Sequence, residues 1–406
     1  MMQGVLAALS SGLLGVLVSS PILAGTVTSD GADLILKTKG GFEVKTADGD
    51  YSFKVGGRIM LDYNSYDGVI NTAEGETGSD VWFRRARLEI KGKAKDWSYL
   101  MSYNLTGSGS IDQLHASYNG FGKLAKLTMG QQKEDFGLDD TGSSKWITGI
   151  ERSLASDAFD TGNNLGIKLH GSTDMISYSV GAYKESIDGD DNSLDTSFTG
   201  RFVFRPIVND DLLVHLGAGF SVRDGEFDSL GARLGVRGGE DKTANRSRVR
   251  YAGGLSGDEQ QSMNLEAAAM FGQAHVQAEY FSSEVSGAAA PDLEVDGYYL
   301  QFGWVLTGEN RSYKNGAGVF DKIKPSGPGG AWELFARYDV LDVSGTEADP
   351  SITVDGGDAD IFTLGANWYI NSNAKVSLNY VTSETDQPIN GEDDGDAIVA
   401  RLQFVF

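Results

Sequence analysis

Apolar and polar residues alternate along most of the chain after residue 50. Between Tyr51 and Tyr63, the odd positions are Tyr, Phe, Val, Gly, Ile, Leu and Tyr, and the even positions include Ser, Lys, Arg and Asp. The C-terminus shows the same alternation, with apolar residues at 398, 400, 402, 404 and 406 and the polar Arg401 and Gln403 between them. A period of two predicts β-strands with one apolar face and one polar face.

Seventeen segments follow this pattern, and many are about ten residues long, which is enough to cross a bilayer at a tilt. Short links such as 95–96, 121–122 and 209–210 alternate with long acidic ones, and many strands end in aromatic residues. These features predict an all-β fold, a transmembrane antiparallel β-barrel that is closed because lipid cannot satisfy an unpaired sheet edge. An even strand number is expected when both termini lie on one side. We therefore predict about 16 strands and interpret 242–253 as a loop extension along the wall; the alternative is a soluble β-sandwich.

The N-terminal segment 1–24 is apolar and uncharged and ends in small residues near Ala24, as in a secretory signal peptide. No Lys or Arg precedes its apolar stretch, so a buried or anchoring N-terminal helix is the alternative. We expect a signal peptide over 1–24, a short periplasmic segment over 25–50 and the barrel domain over 51–406.

The formal net charge of -23 comes from a few loops. The segments 67–80, 185–195, 285–296, 341–360 and 384–396 hold 24 of the 57 acidic residues and no Lys or Arg. The remaining 33 acidic residues face 34 basic ones, so the body of the protein is close to neutral. The net charge therefore says little about what that body binds. One hypothesis for the loops is that they bind divalent cations together with lipopolysaccharide phosphates; the other is that they keep the surface soluble in high salt.

The residue types that carry catalysis or metal binding show no recognisable spacing. There is no cysteine, which excludes disulfides and thiolate metal sites. The four histidines are scattered, and neither a nucleophile elbow nor a phosphate-binding P-loop occurs. We expect no metal, no cofactor, no nucleic acid and no enzymatic activity.

Several segments resemble the phosphate-selective porin O/P family. The most specific are FRRARL at 83–88 and SSKWIT at 143–148; GQQKEDFGL at 130–138, DGADL at 30–34 and KTKGG at 37–41 also fit. The resemblance extends from about residue 26 to Phe406. It implies a homotrimer of 16-stranded barrels in the bacterial outer membrane, in contact with lipid and lipopolysaccharide. It also implies a third loop that folds into the lumen, and a ladder of arginines that leads phosphate or other small anions to a constriction site.

The family pattern assigns anion-binding roles to residues of two early segments. Lys145 and Lys133 lie in the 132–163 link, which the resemblance makes the constriction loop; the alternative is an ordinary external loop with solvated lysines. Both arginines of the pair Arg84 and Arg85 carry over, and Asp112 matches an acidic position that would accept a bond from a protonated phosphate.

The alternation tests these assignments independently. It places Arg85, with Arg87, on the polar face of its strand, where the lumen is expected, because an arginine facing mid-bilayer lipid costs about 2–4 kcal/mol. Arg84 and Asp112 have the wrong parity. Arg84 either lies at the membrane interface, where the cost is small, or is turned inward by a β-bulge. The alternative is that these arginines are wall charges neutralised by Glu89. Arg58, Arg201, Arg205, Arg337 and Arg401 are interpreted as part of a general polar wall.

Three arginines at alternate positions, Arg246, Arg248 and Arg250, project from one side of an extended segment. Under the resemblance they form the arginine ladder, following Arg223, Arg233 and Arg237. The alternative is a basic loop that binds lipopolysaccharide phosphates at the outer surface.

We therefore predict a passive outer-membrane channel for anions, with phosphate or polyphosphate as the expected substrate. The alternative is a porin of the same fold with general or different selectivity, because acidic residues share its constriction loop. A hydrolase at the barrel rim would need a nucleophile and base pair that the sequence does not show.

Overall fold

The structure, a computed structural model, describes residues 26–29, 32–38, 41–70, 77–184, 196–209, 211–237, 249–286, 293–345, 357–389 and 392–406. The predicted signal peptide, part of the acidic loops, and Arg246 and Arg248 lie outside these residues. The strands in the first half are β1 (Thr26–Ser29), β2 (Ala32–Lys37), β3 (Phe42–Thr46), β4 (Tyr51–Tyr66), β5 (Gly78–Ala94), β6 (Trp97–Asn104), β7 (Ser110–Tyr118), β8 (Lys126–Lys133), β9 (Asn163–Ser172), β10 (Ile176–Lys184) and β11 (Thr196–Val208).

The second half continues the same antiparallel sheet. Its strands are β12 (Leu212–Ala232), β13 (Val249–Phe271), β14 (Ala274–Ser286), β15 (Leu293–Val305), β16 (Arg311–Lys314), β17 (Val319–Ile323), β18 (Ala331–Gly345), β19 (Gly357–Tyr369), β20 (Ala374–Ile389) and β21 (Glu392–Val405). Two short helices, α1 (Leu138–Thr141) and α2 (Leu154–Ala158), lie between β8 and β9. Within the described part of the chain, no helix is long and apolar enough to span a membrane.

The sheet closes on itself because β21 pairs with β4, from Ala397 opposite Tyr66 to Val405 opposite Arg58. The closed barrel has 16 strands and consists of β4 to β15 and β18 to β21. The predicted strand number is therefore confirmed. The strands β1 to β3 form an antiparallel meander that continues the sheet from the start of β4, with Phe42 opposite Val55.

The barrel is apolar outside and polar inside. On β15, Leu300, Phe302 and Trp304 are about half exposed, whereas Tyr299 and Gln301 are buried. The same alternation runs through the other strands, as the sequence predicts. Apolar side chains on the outer surface are stable only if lipid covers them, and polar side chains are stable inside when they find partners or water.

Two links differ in detail from the sequence-based prediction. The described part of 242–253 is the start of β13, which continues from Val249 to Phe271 and pairs with β12 on either side of an irregular stretch, so the segment is not a separate strand of the barrel. The link 306–330 is on the side of the short turns, yet it is long and contains the β16–β17 hairpin. Period-two counting could not join the two halves of β13, because Gly253–Gly257 weakens the alternation there.

Two apolar clusters fill part of the space that the barrel encloses. In one, Phe136, Leu154 and Phe159 of the 134–162 segment pack against Phe281 of β14 and other side chains of the strands from β12 to β21. In the other, Leu138 packs with Phe320 of the β16–β17 hairpin. Each buried side chain of this size contributes about 1.5–3 kcal/mol. The 134–162 segment is thereby held mainly against the strands from β12 to β21, and a space beside β4 to β7 stays open.

Candidate functional site

The open space is a cavity of about 550 Å³ between the β4–β7 wall and the 134–162 segment. It is strongly basic, since its lining contains ten cationic side chains and four carboxylates. The cationic residues are Arg58, Arg84, Arg85, Arg87, Lys91, Lys133, Lys145, Arg152, Arg237 and Lys314. The acidic ones are Glu89, Asp112, Asp135 and Asp160. All of the predicted anion-binding residues that the structure describes with their side chains therefore lie around one cavity.

A β-bulge turns Arg84 toward the lumen. Along the β4–β5 register, Met60 pairs with Arg85 and Leu61 with Phe83, so Arg84 is the extra residue. Its guanidinium then meets Glu151, with its Nε donating at 2.7 Å and its Nη2 at 2.9 Å. The parity that sequence alternation assigns to Arg84 is overruled here because a bulge places two residues opposite one.

Asp112 is turned inward in the same way. Ser102 pairs with Gln113 and Tyr103 with Ile111, which leaves Asp112 as the extra residue of β7. Its carboxylate accepts bonds from Arg87, Ser102 and Asn163. The carboxylate that the resemblance offers to a protonated anion is therefore already paired with a cation.

Two guanidiniums of the cavity have no carboxylate partner among the described residues. The Arg85 side chain makes no hydrogen bond or ion pair with any described residue, although Arg84, Arg87 and Arg58 lie close enough to repel it. Arg58 donates through Nη1 to the hydroxyl of Ser144 at 2.9 Å, and its Nε is buried without a partner. Unpaired buried donors carry the full cost of desolvation, so these two side chains favour an anion between them.

Lys145 reaches the same cavity from the 134–162 segment. Its ammonium donates to both oxygens of Glu89, at 2.9 Å and 3.2 Å. Burial lowers the pKa of Lys145 to about 8, against the opposing attraction of Glu89. Lys145 is thus charged near neutral pH but close to the point where it loses its proton.

Lys133 and Arg152 mainly hold the 134–162 segment together. Lys133 donates to Asp140 at 2.6 Å. Arg152 donates to the backbone carbonyls of Asp139, Asp140 and Gly142. Both cations line the cavity, but their charge is shared with acidic or carbonyl oxygens of the segment itself.

The outer arginines are neutralised by the same segment. Glu151 accepts from Arg84, from Arg401 at 2.7 Å and from Arg237 at 2.9 Å. Burial alone would raise the pKa of Glu151, but the three arginines outweigh it and hold that pKa well below its usual value. Arg233 and Arg237 also pair with Asp157. The lower part of the predicted arginine ladder is therefore a set of ion pairs.

The remaining residues of the predicted ladder, Arg246, Arg248 and Arg250, stay a prediction. Arg246 and Arg248 lie outside the described residues. Arg250 is part of β13, where its backbone is opposite Gly231 of β12, but its side chain also lies outside the description.

The opposite wall carries charges that are paired with one another. Arg201 of β11 donates to both oxygens of Glu266 at 2.6 Å and 2.7 Å. His215 contacts the same carboxylate at 2.8 Å and the Tyr313 hydroxyl at 2.6 Å. Arg201 also donates to two backbone carbonyls of the β16–β17 link, those of Ala317 and Gly318. These contacts fix the 306–330 segment inside the barrel.

The 306–330 segment in turn supports the 134–162 segment. Arg311 donates to the hydroxyl of Thr148 at 2.6 Å and to the carbonyl of Trp146 at 2.8 Å. From the other side, Asn367 and Gln403 donate to backbone carbonyls of the same stretch, at Thr148 and Lys145. Lys145 is therefore positioned by several strands at once.

Sequence reasoning missed Arg58 as a member of this site and interpreted it as a wall charge. Arg58 lies directly opposite Arg87 in the β4–β5 register. Because the link between these strands is long, the register cannot be counted from a tight turn. The alternation does place Arg58 on the polar face, and this was the one available signal.

The sequence of the barrel domain matches a known family along its whole length. The model of the phosphate-selective porins O and P matches residues 53–406. The chain belongs to this family. It is 39% identical to Porin O of Pseudomonas aeruginosa over 429 aligned positions, which cover 97% of each chain. The protein is accordingly a porin of the bacterial outer membrane, with the lipid-facing apolar band that its fold shows.

Solved porin structures share the fold at low sequence identity. An anion-selective porin from Comamonas acidovorans superposes with a TM-score of 0.58 at 12% identity, over 88% of this chain and 100% of its own. OmpT of Vibrio cholerae in its trimer form gives a TM-score of 0.57 at 10% identity, over 88% of this chain and 99% of its own. Among the described residues of the present chain, no group of three or more His, Asp or Glu side chains is arranged to hold a metal ion.

Proposed function

We propose that this porin is a passive channel that prefers anions, with phosphate or polyphosphate as the substrate class. In the proposal the 134–162 segment is the constriction, and the basic cavity beside β4 and β5 is the anion site. The observation that supports this proposal most directly is that Arg58 and Arg85 line the cavity without a carboxylate partner among the described residues.

The chemistry of the cavity suits an oxyanion. Guanidiniums present planar pairs of donors that match phosphate oxygens, and hydrogen bonds between charged groups are about twice as strong as neutral ones. Lys145 adds a compact donor from the opposite side. An anion that enters would exchange its hydration shell for these fixed donors, as in other selective pores.

The family supports phosphate as the anion. The family description names phosphate selectivity, and the relative from Pseudomonas aeruginosa is called Porin O. The residues expected to contact the anion in this chain are Arg58, Arg85 and Lys145, with Arg84, Asp112 and Lys133 as paired neighbours. The ladder residues Arg246, Arg248 and Arg250 are proposed to guide anions from the outer opening.

The alternative function is that of a porin with general selectivity, or with selectivity for a different solute. The observation that favours it is the pairing of Arg84, Arg233 and Arg237 with carboxylates of the 134–162 segment. The two carboxylates, Glu151 and Asp157, together offset two of these three positive charges. A selectivity that depends on only a few free cations is weaker than that of an unbroken basic track.

A planar-bilayer experiment distinguishes the two. Single-channel current is measured in chloride while phosphate is added. The proposal predicts anion selectivity and block by submillimolar phosphate, with the block weakened in Arg85→Ala and Lys145→Ala. Lys324→Ala is the matched control, since Lys324 is exposed on the 306–330 segment outside the cavity. Chloride current that phosphate leaves unchanged, or cation selectivity, would favour the alternative of general or different selectivity.

The proposal includes a homotrimer that is embedded in lipid and contacts lipopolysaccharide, with transport and no catalysis as its activity. The trimer is expected from the resemblance and from the trimer form of the Vibrio cholerae OmpT fold. Cross-linking in outer-membrane vesicles tests the assembly: bands at three times the monomer mass support it, and monomer alone contradicts it.

A further inference from the structure

Glu89 is a carboxylate in the middle of a site for anions. It lies on the lumen face of β5, two residues beyond Arg87 and four beyond Arg85, and it lines the same cavity. Its side chain is 10% exposed. It binds Lys145 at 2.9 Å and Lys91 at 3.2 Å. The proposed function gives no role to this residue.

The contact with Lys145 has a direct consequence for an arriving anion. Both carboxylate oxygens of Glu89 accept from the Lys145 ammonium. An anion that reaches Arg58 and Arg85 therefore finds Lys145 already engaged. The ammonium has three N–H donors, and two of them bind Glu89. An arriving anion can bind the third donor directly, but it competes with Glu89 for the other two, and the carboxylate recovers them when the anion departs.

We propose that Glu89 is a built-in competitor that limits how long an anion stays at Lys145, and this inference rests on the proposed function. A pore conducts only if its sites bind strongly enough to admit the ion and weakly enough to release it. Within the described residues, Arg58 and Arg85 have no carboxylate competitor, whereas Lys145 has one on β5. Glu89 is thus a positioning residue that acts on the anion through Lys145.

The test compares two carboxylates of the same cavity. Glu89→Gln keeps the shape of the side chain and removes the charge that holds Lys145. Asp160→Asn is the control for the loss of a carboxylate charge. Asp160 lines the cavity near Lys133 and Arg152, but it is more exposed than Glu89, makes no ion pair within the described residues and does not contact Lys145. The readouts are the phosphate concentration for half-block of chloride current and the mean duration of single phosphate-blocked events.

The proposal predicts that Glu89→Gln lengthens the blocked events and lowers the half-block concentration by about tenfold. Asp160→Asn lowers it by only about twofold, since it changes the general field alone. In the Lys145→Ala background, Glu89→Gln has no further effect beyond that of Asp160→Asn.

Three outcomes would overturn the inference. Equal effects of Glu89→Gln and Asp160→Asn would mean that Glu89 contributes only to the general field. A shorter blocked event in Glu89→Gln would mean that Glu89 holds Lys145 in place for the anion. An undiminished effect in the Lys145→Ala background would mean that Glu89 acts through Arg58 or Lys91. Wild-type channels that phosphate does not block would instead remove the proposed function itself, so the two failures are distinguishable.

Discussion

The two walls of the lumen treat their buried charges differently. On the far wall, Arg201, Glu266 and His215 form a closed set of contacts in which each charge has a partner. On the near wall, which is formed by β4 to β7, Arg58 and Arg85 face the cavity without a carboxylate partner among the described residues. Both walls use arginines on the polar face of barrel strands, so residue type and alternation alone cannot tell them apart.

The difference shows how one barrel divides stability and function between its sides. The far wall is covered by apolar packing of the 134–162 segment and by the β16–β17 hairpin, which exclude water. A charge buried there needs fixed partners from the protein, a carboxylate for Arg201 and carbonyl and hydroxyl oxygens for Arg205, because an isolated charge costs several kcal/mol. The near wall borders the open cavity, where a mobile anion can serve as the partner.

The largest expected effect is the loss of a charge from the far wall. Arg201→Ala leaves Glu266 buried with His215 as its remaining side-chain partner, and it frees two carbonyls of the 306–330 segment. We expect the free energy of unfolding in lipid vesicles to fall by about 3–5 kcal/mol, measured by denaturant titration. The double variant Arg201→Met with Glu266→Gln is the control and should recover much of the loss. A decrease below about 1 kcal/mol would show that water enters this wall.

The next effect separates two adjacent arginines of the near wall. Arg85→Ala removes an unpaired donor, so phosphate half-block should require about 10- to 100-fold more phosphate, as for a hydrogen bond to a charged group. Arg84→Ala should change it by about threefold or less, because Arg84 is already paired with Glu151. Single-channel block measures both. Equal effects of the two substitutions would mean that the Arg84–Glu151 pair opens when an anion binds.

A smaller effect follows from the lowered pKa of Lys145. Since that pKa is about 8, Lys145 is mostly protonated at pH 7 and mostly neutral at pH 9. Sulfate, which stays doubly charged over this range, should therefore block less well as the pH rises through about 8. Lys145→Arg should remove this dependence, because arginine stays charged. A sulfate block that is equally pH-dependent in Lys145→Arg would assign the titration to another group.

The smallest effect is expected at the edge of the cavity. Lys314 lines it, but its side chain is 50% exposed and is paired with Asp321 at 3.0 Å. Lys314→Ala should change phosphate half-block by less than about twofold, since water screens an exposed ion pair. The same bilayer titration measures it. A change comparable to that of Arg85→Ala would place the anion path along the β16–β17 hairpin.

Alternation predicted the barrel well because lipid outside and water or charge inside impose a strict period of two. It placed Arg85 and Arg87 correctly on the lumen face of their strand. It also showed that Arg84 and Asp112 occupy positions that regular alternation would turn away from the lumen. A β-bulge was one of the two explanations considered for Arg84, and the register shows it; the second bulge, at Asp112, was not predicted. Alternation could not reveal which cations are paired, because pairing joins residues far apart in sequence, such as Arg84 with Glu151 and Lys145 with Glu89.

The sequence by itself determined the closed barrel, the orientation of its strand faces and the family, because each depends on local alternation or on short motifs such as SSKWIT. The tertiary structure decided which arginines are free to bind an anion. The apolar packing of the 134–162 segment against one wall brings its carboxylates to Arg237 and Arg233 and leaves Arg58 and Arg85 facing the cavity. Coulomb attraction depends on distance in space, and that distance is set only when the barrel closes around the segment.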